Sequence, residues 1–281
     1  MFEFENMLHD EYTELPFILM FLTVVFIFGI CIGSFLNVVI IRLPRHESLI
    51  KRSSHCMTCQ AKIRPIDLIP VFSWIFLRGK CHNPECHAKI SARYPIVEAL
   101  NGILYVLTFL VLDINAKAII TCVLMSLLIV IAFMDWDTQE IDLIFVALIL
   151  LLAVPAAIFT DDVKLLHRFI GAFAISLPFF LIGEISRPII RKKYDDDFRA
   201  IELGDTYLMA AAGALLGTQA VIVSALIGIV AAAVGGSITK IVTKDSKFAF
   251  GPYLSIGIAA AMLWGNDIAG WYISLLTATP Q

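Results

Sequence analysis

Residues 16–41 read PFILMFLTVVFIFGICIGSFLNVVII, a stretch that contains no charged side chain. An α-helix needs about 20 predominantly apolar residues to cross the hydrocarbon core of a bilayer. The composition and length of residues 16–41 therefore predict a membrane-spanning helix near the start of the chain.

Apolar stretches recur along the rest of the sequence. Four of them cover residues 94–112, 118–134, 143–159 and 165–183. Residues 206–239 carry no charge but are too long for one crossing at about 1.5 Å per residue, so a turn is expected at residues 217–219. A last helix is expected from about Phe248. The pattern predicts an all-α polytopic membrane protein with about eight transmembrane helices.

The overall composition agrees with a membrane protein. Of the 281 residues, 59% are hydrophobic and 16% are charged, and the mean hydropathy is +0.85. Soluble domains average about 45–50% apolar and about 25% charged residues. The apolar excess excludes a disordered chain, a basic nucleic-acid-binding module and an ordinary soluble enzyme. Residues 1–14 hold five acidic residues and no Lys or Arg, unlike the start of a cleaved signal peptide.

The basic residues are distributed unevenly across this topology. Residues 42–93 contain ten Lys and Arg residues, residues 187–205 contain five and residues 240–247 contain three. Only three basic residues are left for the opposite side, and positive charge marks the cytoplasmic side of a membrane protein. We therefore expect a multi-pass protein of the bacterial inner membrane, with residues 42–93 cytoplasmic and both termini periplasmic.

Four of the six cysteines lie in the polar segment, as CMTC at residues 56–59 and CHNPEC at residues 81–86. Two short-spaced pairs about twenty residues apart are typical of a tetrahedral zinc ribbon. Because the reducing cytoplasm disfavours disulfides, free or redox-active thiols are the alternative. The longer second spacing leaves His82 or His87 open as a replacement ligand. The predicted ligands of a structural Zn²⁺ are Cys56, Cys59, Cys81 and Cys86.

Two aspartates lie beside otherwise uncharged helices. Asp135 follows the apolar stretch 118–134, and Asp205 precedes the uncharged stretch 206–239. The helix that begins near Asp205 can cross a membrane only if it includes that residue, because the turn at Gly217 follows so soon. An ionisable residue at membrane depth indicates function by default. The two aspartates predict a protease dyad that shares one proton, with a solvated acidic loop as the alternative for Asp135.

Several motifs follow one another in a recognisable order. They are GSFLNVVIIRLP at residues 33–44, the tetracysteine segment, ISARYPIVE at residues 90–98, MDWDTQEID at residues 134–142, Gly204-Asp205, and FGPY at residues 250–253. In this ordered set the chain resembles the type IV prepilin peptidases over nearly its whole length.

The resemblance implies a presenilin-like intramembrane aspartyl protease with Asp135 and Asp205 as its catalytic residues. Such an enzyme cuts the short leader from prepilins or pseudopilins at the cytoplasmic membrane face. Many members then methylate the new N-terminus, so the resemblance implies S-adenosylmethionine as a second cofactor if that activity is present. The expected partners are prepilin or pseudopilin substrates and membrane lipid, without nucleic acid.

Three positions depart from the family pattern. Glu202 replaces the first Gly of a G-x-G-D motif, Tyr207 stands where Lys is common, and Ala249 stands where Pro is frequent. Gly permits backbone geometry that Glu tolerates less well. The alternative function is therefore a catalytically degenerate zinc-ribbon membrane protein that binds prepilins or assembly components. A transporter is a third hypothesis, although acidic residues are missing from mid-span positions.

The sequence predicts three parts. Residues 1–41 form the N-terminal segment and first transmembrane helix. Residues 42–93 form a cytoplasmic zinc-binding domain, and residues 94–281 form the transmembrane peptidase core.

Overall fold

The computed structural model describes residues 15–50, 55–56, 58–86, 88–160, 163–194, 199–243 and 248–277. Within these ranges the backbone forms ten α-helices, a short 3₁₀ helix at Pro65–Leu68 and two isolated β-bridges, without a strand. The α-helices are α1 (Leu15–Arg42), α2 (Phe72–Phe76), α3 (Arg93–Leu112), α4 (Ala116–Thr138), α5 (Leu143–Phe159), α6 (Leu165–Ala174), α7 (Ser176–Tyr194), α8 (Leu203–Leu216), α9 (Thr218–Thr243) and α10 (Gly251–Thr277).

The helices confirm an all-α, multi-pass membrane protein. Among the described residues, five helical stretches are long and apolar enough to cross a membrane, namely Leu15–Arg42, Arg93–Leu112, Ala116–Thr138, Leu165–Ile189 and Thr218–Thr239. Two further apolar helices, Leu143–Phe159 and Leu203–Leu216, are shorter. Helices occupy all eight segments that the sequence predicts, with α6 and α7 together filling one of them. The number of crossings stays a prediction.

Polar side chains and one glycine set the ends of α4, α5 and α8. The side chain of Asn115 accepts a hydrogen bond from the Ala118 N–H at 2.8 Å and caps α4. Asp142 caps α5 in the same way. Gly217 ends α8 with a φ of +80°, a left-handed conformation that glycine adopts without strain. The turn therefore lies where the sequence predicts it.

The chain divides into two compact units, Met1–Ile114 and Asn115–Gln281. In the first unit α1 packs against α3, and small residues allow the two backbones to approach closely. A Cβ at Gly29 would lie 2.7 Å from the Cα of Gly102. The Asn37 side chain donates to the Tyr94 carbonyl at 3.0 Å, and Asn101 donates to the Gly29 carbonyl at 2.7 Å. These bonds join the two helices in the way that small and polar residues join membrane helices.

In the second unit α4 and α8 each pack against both α5 and α10, and α9 packs along α10. Close contacts again use glycine, because Gly213 of α8 meets the backbone of Gly171 in α6. Gly171 and Gly213 are therefore helix contacts. The division at Ile114 places α3 with the N-terminal unit, and the three-part division into 1–41, 42–93 and 94–281 stays a prediction.

Candidate active site and metal centre

Asp135 lies in the last turn of α4 and is only 5% exposed. Its Oδ2 accepts a hydrogen bond of 2.8 Å from the backbone N–H of Gly251. Gly251 is the first residue of α10, where backbone N–H groups have no partner within the helix. A carboxylate at the start of a helix satisfies such a donor and meets the positive end of the helix dipole. The fold therefore holds the Asp135 carboxylate in one orientation.

Gly251 is a site residue that sequence reasoning missed. A Cβ at this position would lie 2.7 Å from Oδ2 and 3.0 Å from Cγ of Asp135, so only glycine allows the approach. The signal was present in the FGPY motif, since a Gly-Pro pair after an irregular segment is typical of a helix start. The motif did not reveal which side chain the glycine would meet.

Asp205 lies in the first turn of α8 and is 6% exposed. The negative charge of Asp135 acts on Asp205, so the structure brings the two predicted residues into one electrostatic environment. Just before Asp205, a Cβ at Gly204 would lie 3.0 Å from the Cβ of Ile141, which fixes the start of α8 against the segment that follows α4. Two buried carboxyl groups at helix ends therefore lie within reach of each other's charge.

The other acidic residues of the Asp135 motif are exposed. Asp137 and Glu140 face outward, and Asp142 is used as the cap of α5. The interpretation as a solvated loop therefore fits these residues but does not fit Asp135, which is buried.

Glu202, the departure from the family motif, is the residue before α8 and has a φ of −74° and a ψ of 157°. Any residue adopts this extended backbone conformation, so the expected strain of Glu at a glycine position is absent. The carboxylate of Glu202 also adds negative charge near Asp205. The backbone conformation of Glu202 therefore gives no reason to expect a loss of activity.

The four predicted cysteines form a separate cluster in the first unit. All four sulfur atoms lie within 4.8 Å of one another, and the pairs Cys56–Cys86 and Cys59–Cys81 are each 3.9 Å apart. Sulfur atoms around a tetrahedral four-thiolate ion lie about 3.8 Å apart, whereas a disulfide brings them to about 2.05 Å. The cysteines are free thiols with the spacing of a metal site, and the cluster could hold a metal ion.

Each cysteine pair lies at the tip of a tight backbone turn. The bridge between His55 and Lys62 closes the first turn, and the bridge between Lys80 and Lys89 closes the second. In the second turn the Cys86 N–H donates to the Asn83 carbonyl at 3.0 Å. Such paired turns are what the C-x₂-C and C-x₄-C spacings predict, because each turn directs two sulfur atoms to one point.

The thiols of the cluster differ in their pKa values. Backbone hydrogen bonding at Cys59 lowers the pKa of Cys56 to about 6. At Cys81 the backbone hydrogen bond of Asn83 lowers the pKa, but burial and the neighbouring Cys56 and Cys59 outweigh it and raise the pKa to about 11. Ionisation of one thiol thus disfavours ionisation of the next, so a bound cation would be needed to make all four thiolates stable together.

Of the two histidines proposed as replacement ligands, the structure describes only His82. His82 lies outside the group of four ligands, and its Nδ1 lies 3.7 Å from Oδ2 of Asp67. The structure therefore does not bring His82 to the cluster, because its ring faces a carboxylate. His87 lies outside the described residues.

Comparison with known sequences matches the chain in two consecutive parts. The profile of the bacterial peptidase A24 N-terminal domain matches residues 27–112, and that of the type IV leader peptidase family matches residues 122–237. A prepilin leader peptidase/N-methyltransferase of Aeromonas salmonicida is 30% identical over 287 residues, covering 92% of this chain and 95% of the relative.

Two further relatives extend the likeness. A prepilin leader peptidase/N-methyltransferase of Neisseria gonorrhoeae is 34% identical, covering 82% of this chain and 86% of its own. A type 4 prepilin-like proteins leader peptide-processing enzyme of Escherichia coli O78:H11 is 33% identical, covering 89% of this chain and 96% of its own. No solved structure matches the chain. Two ordered profiles and relatives similar along almost their full length show that the chain belongs to the type IV leader peptidase family.

Proposed function

We propose that this protein is an intramembrane aspartyl endopeptidase that removes the leader from type IV prepilins or related pseudopilins. The observation that carries the proposal is the burial of Asp135 and Asp205 together, at the ends of two apolar helices. Burying a carboxyl group is costly in a membrane protein, so a buried pair indicates a functional site. Relatives named for this activity cover most of the chain, which supports the same substrate class.

In the proposed mechanism the two aspartates divide acid and base roles. Asp135 already accepts the Gly251 N–H, so its other oxygen is suited to take a proton from the attacking water. Asp205 is the protonated partner and donates a hydrogen bond to the scissile carbonyl oxygen. Water adds to the carbonyl carbon as Asp135 takes one of its protons, and the peptide C–N bond breaks as Asp205 gives its proton to the leaving nitrogen. The dyad ends the cycle with one proton, as it began. The enzyme forms no covalent intermediate with the leader.

Replacing Gly251 with Ala is expected to lower the rate of leader removal by roughly a hundredfold, because displacement of a catalytic group by about 1 Å has that effect. The added Cβ would push Asp135 away from the start of α10. Initial cleavage rates of the purified variant on a prepilin measure the loss. Gly270→Ala is the matched control in the same helix, since nothing lies within 4 Å of its Cβ. Equal rates for both variants would contradict the role of Gly251.

We infer that the cysteine cluster binds a structural Zn²⁺. Four thiolates in a closed tetrahedral arrangement suit Zn²⁺ and leave no position for a reacting water. Bound zinc would hold the two turns together and contribute to folding of the segment between α1 and α3. It supplies no step of the hydrolysis.

N-methylation with S-adenosylmethionine is inferred from the names of the relatives alone. A cavity bounded by Lys117, Thr160, Arg168 and Asn266 has a volume of about 30 Å³. Binding sites for molecules of the size of S-adenosylmethionine have volumes of about 300–1,000 Å³. The residues around this cavity therefore do not fit the methyl donor.

We propose an inner-membrane location with the tetracysteine segment in the cytoplasm and both termini in the periplasm. The excess of Lys and Arg in residues 42–93 supports this orientation. A topology reporter fused after Lys62 is expected to show a cytoplasmic location, and one fused at Gln281 a periplasmic location. A periplasmic reporter after Lys62 together with a cytoplasmic reporter at Gln281 would contradict the proposed topology.

The proposed function is tested by producing the protein together with a candidate prepilin. Leader removal, measured from the mass of the pilin, is expected with the wild-type chain and absent without it. Binding of the prepilin without any cleavage would favour the non-catalytic alternative. Ion flux in reconstituted vesicles would favour the transporter.

A further inference from the structure

The segment between α1 and α3 carries an exposed apolar surface that neither candidate site uses. It is formed by the 3₁₀ helix, α2 and the residue after the 3₁₀ helix. Its large side chains are exposed by 46–82% of their full area, and Phe76 is the most exposed at 82%. We call this surface the α2 apolar face, and its members are Ile66, Leu68, Ile69, Phe72, Ile75 and Phe76. The 3₁₀ helix contacts α2, so these side chains cluster, and an exposed apolar cluster marks an interaction site.

The reverse side of α2 is firmly attached, so the apolar face has a fixed orientation. The indole N–H of Trp74 donates to the Ile90 carbonyl at 3.0 Å. Gly79 has a φ of +65° and lies against the same ring, where a Cβ would be 2.9 Å from Trp74 Cζ2. The one aromatic residue of α2 that points inward therefore fastens the helix, and the remaining large side chains point outward.

The turn before α2 is tied to a membrane-spanning helix. The Val71 N–H donates to Glu98 Oε2 at 2.7 Å, and this bond holds Val71 at a φ of 62° that a β-branched residue rarely adopts. Glu98 lies five residues after the start of α3, or about 7.5 Å along the helix axis. Since α3 is long and apolar enough to cross a membrane, α2 is held at the level of its first turns.

The first turns of α3 also expose large apolar side chains. Ile96 is 54% exposed and Ile103 is 55% exposed, as expected of side chains in contact with lipid tails. The turn before α2 is therefore tied to a part of α3 that itself exposes apolar side chains.

The segment that carries the α2 apolar face is rich in exposed basic residues. Arg78 and Lys80 directly follow α2 and are exposed, as are Lys62 and Lys89 of the two cysteine turns. The carboxylate of Asp67 is engaged by Arg64 at 2.8 Å. Basic side chains beside an apolar helix face are typical of segments that lie in the interface of an anionic membrane.

We propose that the α2 apolar face inserts into the phospholipid surface of the membrane that α1 and α3 cross, on the side of the tetracysteine segment. Both ends of the segment are already attached to that membrane, so the contact requires little further ordering. A phospholipid surface satisfies the apolar side chains and the basic residues at once. Lipid contact would hold the tetracysteine segment flat against the membrane.

The test places a photoreactive p-benzoylphenylalanine at position 76 of the full-length chain. The purified protein is reconstituted in vesicles of phosphatidylethanolamine and phosphatidylglycerol, irradiated and weighed by intact-mass spectrometry. We expect an added mass equal to one phospholipid, at a yield several-fold above that of the same substitution at Glu85. Glu85 is the control because it is an exposed residue of the same segment outside the apolar face. Position 66 provides a second probe, and an unchanged thermal unfolding temperature shows that each variant is folded.

Three other results of the crosslinking experiment would assign the α2 apolar face differently or reject its role. A lipid yield at positions 76 and 66 no higher than at position 85 would overturn the proposal. An adduct of doubled protein mass would assign the face to a second copy of the chain. An adduct with a prepilin reconstituted in the same vesicles, formed in place of the lipid adduct, would assign it to a protein substrate.

Discussion

Asp205→Asn and Asp135→Asn are each expected to lower the rate of leader removal by roughly a thousandfold or more, since loss of a general acid or base costs about 10²–10⁴-fold. The two carboxyls form one unit in which one gives and the other takes a proton, and neither can do both. Asn is close to Asp in shape and leaves both helices intact. Cleavage rates of purified variants on a single prepilin measure the effect.

Two comparisons separate lost chemistry from lost structure. The double variant is expected to be little slower than either single variant, because residues that act as a unit have non-additive effects. Asp137→Asn is the matched control, since Asp137 lies in the same turn as Asp135 but is exposed. It is expected to cleave at nearly the wild-type rate. A near wild-type rate for folded Asp205→Asn would refute the dyad and favour a non-catalytic binding protein.

Much of the fold was predictable, because a membrane-spanning helix requires a long apolar stretch that is easily recognised in the sequence. All eight predicted segments are helical, and the turn at Gly217 lies where length alone placed it. The grouping of the helices was not predictable in the same way. The pairing of α1 with α3 depends on the contact of Gly29 with Gly102, and small residues at suitable positions do not reveal their partner in a sequence.

The candidate sites show the same limit. The type of residue and its position beside an uncharged helix identified Asp135, and short cysteine spacings identified the metal cluster. Gly251 and the orientation of His82 were missed, because each depends on a contact between distant parts of the chain. A hydrogen bond across 116 positions leaves no pattern in local sequence.

Removing the first cysteine pair with Cys56→Ser and Cys59→Ser is expected to abolish bound metal, from close to one zinc per chain to none. Two thiolates cannot complete a tetrahedral site, and a serine hydroxyl is a poor ligand because it stays protonated. Binding of a structural zinc contributes on the order of 10–16 kcal/mol in isolated zinc fingers, so the segment between α1 and α3 should unfold locally. Metal analysis and protease sensitivity within residues 55–90 measure both effects.

Cys31→Ser is the matched control for this variant, because Cys31 is also a free thiol but lies in α1 outside the cluster. It should keep its zinc and its resistance to protease. The residues of the dyad lie in the other unit, so the metal-free variant should lose substrate binding before it loses the chemical step, seen as a raised KM with a smaller change in kcat. Wild-type protein purified without chelators and yet free of zinc would contradict the metal assignment. Equal losses of kcat and kcat/KM would place the metal in the reaction itself, because uniform losses report an interaction made only in the transition state.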